Sequence, residues 1–170
     1  DSTPSQREQA SREYWSLREK AVDSRRLDTL TERLSAEKEA LEFEEIGRFT
    51  PAKKLYERLL SIQKAKSDSH EIDLNKTIKN LERANLCEFS YKNFAIKQYS
   101  VALDSLDKVI DNIRASSFDM YTKSVLMTQL MNNFKLAALS KDSSSGLSSE
   151  DTRRAEKLNT QVEEQIVAWK

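Results

Sequence analysis

Apolar residues recur along this chain at helical spacing, in blocks separated by short polar stretches. From Ser5 to Gly47 nothing interrupts helix-forming sequence. Tyr14, Trp15, Leu17 and Ala21 make a first stripe, and Leu27, Leu30, Leu34 and Leu41 make a second at three-, four- and seven-residue steps. Between them, Asp23-Ser24-Arg25-Arg26 is either a break or the wet face of one continuous helix. Thr50 then offers an N-cap hydroxyl, with Pro51 at the first helical position, where a missing N–H costs nothing. The helix so introduced runs from Pro51 to Lys66 and buries Leu55, Tyr56, Leu59, Leu60 and Ile62. Ser67-Asp68-Ser69 reads as a connector. A helix from Glu71 carries Ile72, Leu74, Ile78, Leu81, Leu86 and Phe89, and another from Tyr99 carries Ala102, Leu106, Val109, Ile110 and Ile113. Ser116-Ser117 introduces a strongly apolar helix with Met120, Tyr121, Val125, Leu126, Leu130, Met131 and Phe134. Ser140 to Ser149 is a low-complexity loop, and a last helix aligns Leu158, Val162, Ile166 and Trp169. No run alternates as a strand does. The pattern predicts an all-α chain of six or seven helices.

Composition narrows the function classes. The 170 residues hold two Gly and two Pro, against roughly a dozen and eight from average usage. Gly-rich phosphate loops and βαβ units are thereby disfavoured. Lys and Arg number 28 and so do Asp and Glu, so the chain lacks the basic excess that nucleic acid or an anionic membrane demands. No stretch is long and apolar enough to span a bilayer. A single cysteine, Cys87, excludes an internal disulfide and favours a reducing compartment, so an intracellular, cytoplasmic location is expected. Cys87 and the one histidine, His70, are too few for a zinc shell. Cys87 lies among Asn85, Leu86 and Phe89 as a small buried hydrophobe would; a Cys87–His70 nucleophilic pair requires the fold to bring the two together. Ser144-Ser145-Gly146 is a polar linker, not a nucleophile elbow. No catalytic residue, metal or cofactor is expected. The chain begins at Asp1 without an initiator Met, which reads as a fragment or processed form.

One segment carries a repeat. Ala40 to Ile62 orders a small residue (Ala40), an aromatic (Phe43), a turn glycine (Gly47), an aromatic (Phe49), a second small residue (Ala52) and a second aromatic (Tyr56). In this order it resembles the tetratricopeptide repeat, a helix–turn–helix unit of 34 residues, here starting at Arg33. Ala36, Glu39 and Leu59 depart from the family pattern, and no Pro ends the unit. A weaker copy from Arg83 to Ser116 aligns Ser90, Tyr99, Ala102 and Leu106, with Asn93 in place of an aromatic and Lys97 in place of the turn glycine. A second register, setting Ala95 and Tyr99 against Ala52 and Tyr56, scores as well. The stretched spacing of the first register resembles immunophilin and AIP-like cochaperones, and less closely kinesin light chain.

The resemblance implies an antiparallel α-solenoid: an amino-terminal helix over residues 1–26, two hairpins over 27–116, and a helix, Ser-rich loop and capping helix over 117–170. It also implies a concave groove that binds a peptide or helix of a partner protein, without enzymatic chemistry. The groove-facing positions fall on Leu34, Glu37, Leu41, Glu44 and Glu45 in the first copy, and on Ala84, Cys87, Tyr91, Phe94 and Ala95 in the second. Acidic at one end and aromatic at the other, such a groove suits a partner with Lys or Arg beside an apolar anchor. Cochaperones that grip a carboxy-terminal carboxylate carry Lys and Asn where this chain has Glu37 and Leu41, so no such clamp is expected. Met120, Met127 and Met131 at helical spacing read as core, with an adaptable surface as the other possibility. The contrasting expectation is a structural long-helix bundle that self-associates through its amino-terminal leucine stripe; that stripe loses its heptad at Glu37 and Glu44.

Overall fold

The computed structural model describes residues 3–66, 71–139 and 148–169 and, within them, all side chains but those of 71–73 and 133–139. The connector at Ser67-Asp68-Ser69, His70, most of the Ser140–Ser149 loop and the side chains of Ile72 and Phe134 lie outside these residues. Among the described residues every regular element is helical: α1 (Pro4–Lys20), a 3-10 turn (Val22–Ser24), α2 (Leu30–Glu45), α3 (Phe49–Ala65), α4 (Glu71–Ala95), α5 (Tyr99–Ala115), α6 (Met120–Leu139) and α7 (Ser149–Trp169). From α2 onward each helix packs on its neighbour in the chain, and α6 also reaches back to α2.

The amino-terminal stretch is broken, not continuous. Thr29 caps α2 by accepting from the Glu32 N–H at 3.1 Å, while the Glu32 carboxylate accepts from the Thr29 N–H at 3.1 Å. This reciprocal box satisfies two donors that a helix start otherwise leaves open. Arg58 of α3 clamps the break by donating to the carbonyls of Val22 and Arg25 at 2.6 and 2.7 Å. Val22 and Leu27 are buried there. Helix α1 has no buried residue. It is held by Trp15 edge-on to Phe43 and by Arg18, which bonds Glu39 and Glu42.

The leucine stripe is split: Leu27 is buried and Leu41 packs inward, but its middle does not face the core. Leu30 and Leu34 are 61% and 57% exposed, whereas Ala36, Ala40 and Phe43 are fully buried with Ala52, Leu55 and Tyr56 of α3. Small side chains at the contact let two helices approach closely, and the leucines are too large for that seam. Helix α3 also starts two residues earlier than Thr50-Pro51 suggested. Arg48 takes the cap position without a capping bond from its side chain, which bonds Glu19 instead, and the Thr50 hydroxyl donates to Glu88 of α4 at 2.6 Å. Pro51 remains harmless, since first-turn N–H groups lack helical partners anyway.

The two hairpins α2–α3 and α4–α5 coincide under an offset of fifty residues. Both turns put one residue in the left-handed region, Gly47 at φ 79° and Lys97 at φ 63°. In both, the next N–H bonds back to the residue five before it: Arg48 to Phe43 at 2.8 Å and Gln98 to Asn93 at 2.8 Å. These are matched glycine-type helix ends, and they exclude the register that set Tyr99 against Tyr56. Left-handed backbone costs a side-chain-bearing residue about 1–2 kcal/mol. Lys97→Gly is therefore expected to raise stability by about 1 kcal/mol and Gly47→Ala to lower it by about as much, read as shifts in urea midpoint. A destabilised Lys97→Gly protein would contradict this account of the turn.

Candidate partner-binding surface

The residues assigned to the groove do not share one open face. Glu44 is the clearest correction. It is 1% exposed and sits at the centre of a buried polar network. Arg83 of α4 donates to both its oxygens, Nε to Oε1 at 2.8 Å and Nη2 to Oε2 at 2.7 Å, and the Tyr56 hydroxyl donates to Oε2 at 2.7 Å. Arg83 also donates to Asn80 and Asn112, each at 3.1 Å, and its guanidinium lies 4.9 Å from the centre of the Phe118 ring. Burial works against the charge on Arg83, but the Glu44 carboxylate outweighs it and raises the guanidinium pKa. Burial likewise pushes the Tyr56 phenol well up, reinforced by Glu44. Such a carboxylate has its lone pairs committed and offers nothing to a partner.

Glu37 is also engaged, 3.0 Å from the Lys76 ammonium. Leu41 and Phe94 pack inward against the apolar cluster that holds Cys87, Leu126, Met127 and Leu130. Phe94 lies 6.1 Å from the Tyr99 ring, centre to centre. Tyr91 points away from these, 58% exposed beside Pro51, Lys54 and Lys92. The aromatic end of the inferred groove is thus split, and its exposed half stands among charges of both signs, Arg48, Lys54 and Lys92 with Glu19 and Glu88.

Helix α6 accounts for this arrangement. It contacts α2, α5 and α7, and Met127 on its inner face is fully buried. The face between α2 and α4 that the sequence assigned to a partner is filled from within the chain. Burial, then the nearby Glu44, holds the Cys87 thiol far above its usual pKa, which suits a packed side chain and not a nucleophile. Among the described residues no three His, Cys, Asp or Glu side chains group as metal ligands do.

Glu45 keeps an open carboxylate. It is half-buried and makes no hydrogen bond or ion pair with a described residue. Burial raises its pKa, and the charges of Glu42, Glu44 and Asp119 raise it further. It borders an open groove of ≈ 520 Å³ on the outer side of α6, with Met120, Tyr121 and Val125 as floor and Ile166 and Trp169 of α7 as the far wall. Met120 and Tyr121 are 61% and 79% exposed. The sequence assigned Glu45 to a groove with α4 residues; its neighbours here come instead from α6 and α7, far away along the chain, where periodicity gives no signal.

On the opposite side, Glu88 receives the Thr50 hydroxyl and the ammonium of Lys53 at 3.2 Å and lies 3.3 Å from that of Lys92. Burial favours its protonated form, but these partners outweigh it and its pKa is lowered. Its contribution to stability is present above the carboxylate's unfolded pKa and is lost as pH falls through the lowered folded value.

Removing one member of a buried ion pair strands the other without water. Glu44→Ala is expected to cost about 3–5 kcal/mol in urea unfolding, and Glu44→Leu combined with Arg83→Met to recover most of it. A single change costing under about 1 kcal/mol, the size of an exposed pair, would contradict the network's role. In comparisons with known proteins, no family model, no curated protein and no solved structure matches the chain.

Proposed function

We propose that the chain is a non-enzymatic protein-interaction module, a scaffold or adaptor built on tetratricopeptide-like hairpins, that docks a segment of a partner protein. The observation that carries this reading is the fifty-residue repeat of the hairpin, down to the same backbone turn at Gly47 and Lys97. Repeated hairpins supply extended surfaces and rigid spacing, which favour recognition over covalent chemistry. With the face between α2 and α4 occupied by α6, a partner meets the outer surfaces, where Tyr91 and Tyr121 stand exposed. Exposed tyrosines of this kind are frequent anchors in interfaces.

A second reading, a self-associating structural bundle, draws support from α1. That helix buries none of its residues, and Tyr14 and Leu17 are exposed on it as Leu30 and Leu34 are on α2. Sedimentation equilibrium separates the two: a monomer across concentrations favours the module, and a dimer dissolved by Leu34→Ser favours the bundle. For the module itself, affinity capture with the intact chain is expected to retain a partner that Tyr91→Ser or Tyr121→Ser releases. Identical captures by all three proteins would count against it.

A further inference from the structure

Glu45 and the outer face of α6 fit together as one recognition surface. Along α6, Met120, Tyr121, Ser124, Val125 and Thr128 follow one another on the same side. At 1.5 Å per residue this strip is about 12 Å long, the footprint of a helix or strand laid across it. Its apolar part is already in contact with protein on one flank, through Ile166 and Trp169, and open above. At its other flank stand Glu45 and Asp119, with Glu42 close by but engaged by Arg18. Lys123 of α6 does not answer Glu45; its ammonium donates to the Arg114 carbonyl at 2.9 Å and lies 6.0 Å from the Trp169 ring.

We propose that this groove, between the end of α2, the outer face of α6 and the end of α7, docks a partner polypeptide segment that carries a Lys or Arg within one turn of a large apolar side chain. The basic group supplies the counter-charge that Glu45 lacks within the described residues, and the apolar side chain covers Met120 and Tyr121. A half-buried carboxylate with a raised pKa gains more from an incoming cation than a fully solvated one does. An acidic segment is repelled by Glu45 and Asp119. The inference rests on the interaction-module reading and narrows it to one partner chemistry and one surface.

The test titrates the full chain with a fluorescent amphipathic helical peptide of Leu and Lys, and with its counterpart in which Glu replaces every Lys. The Leu/Lys peptide is expected to bind and the Leu/Glu peptide not to bind. Glu45→Gln is expected to weaken binding by about fivefold and Tyr121→Ser by about tenfold. Both changes lie near the surface, and circular dichroism checks that each variant keeps its helices. Equal binding of the two peptides, or no binding of the Leu/Lys peptide, overturns the proposal. So does Leu/Lys binding that survives Glu45→Gln and Tyr121→Ser; if Tyr91→Ser abolishes that binding, the module reading stands and only this surface falls. A dimer of the chain that Tyr121→Ser dissociates also overturns it, since a second copy would then be the occupant.

Discussion

The pairing of Arg83 with Glu44 ties the two hairpins to one another. Each side chain is 1% exposed, and a charge so placed is tolerated only when its partner is held in good geometry. Two guanidinium nitrogens on two carboxylate oxygens, with the Tyr56 hydroxyl closing one side, meet that condition. The pair fixes α2 against α4 at one level. Tyr56 ties α3 to the same point and Asn112 ties α5. Phe118, in the link before α6, covers the guanidinium. The network therefore joins four helices and sets where the fifth begins.

That constraint decides what happened to the expected groove. With α2 and α4 locked and Phe118 placed on Arg83, α6 starts over the face that Leu41 and Cys87 line. Its Leu126, Met127 and Leu130 then complete one apolar cluster with α5 and α7. A helix with apolar residues on more than one side can fill that space and still present Met120 and Tyr121 outward. Under the proposed function, a partner would meet the outer face and not the inner one, where the half-buried acid is Glu45 and not the buried Glu44.

Helix existence was legible in the sequence because apolar periodicity and scarce breakers act locally. The start point at Tyr99 and the buried stripe Leu158–Val162–Ile166 were readable on that basis. The order of small and aromatic residues also marked the contact of α2 with α3, where Ala40, Phe43, Ala52 and Tyr56 are buried together. The break before α2 had a local signal too, Thr29 with Glu32 three residues on, and that capping box decides between the break and the continuous helix that apolar periodicity left open. A stripe of leucines marks burial only if the neighbouring helix leaves room, and alanines set the spacing here. The network was not legible. An arginine reads as solvated until the fold brings a carboxylate from a distant helix onto it, and the same long-range pairing converted Glu44 from a groove acid into a core residue. Lys97 in a glycine position weakened the signal of the second turn and left two registers open, although its backbone repeats the first turn.

The central claim is that α6 seats on the face between α2 and α4 and closes it. Cys87 lies on that face, is 4% exposed, and is the one thiol in the chain, so its chemistry reports the closure directly. The measurement is the rate of Cys87 labelling by a small aromatic disulfide at rising urea, compared with the unfolded chain. The account predicts negligible labelling in native buffer and an opening free energy close to that of global unfolding. Labelling without denaturant within about tenfold of the unfolded rate would show that face to be open and would contradict the account.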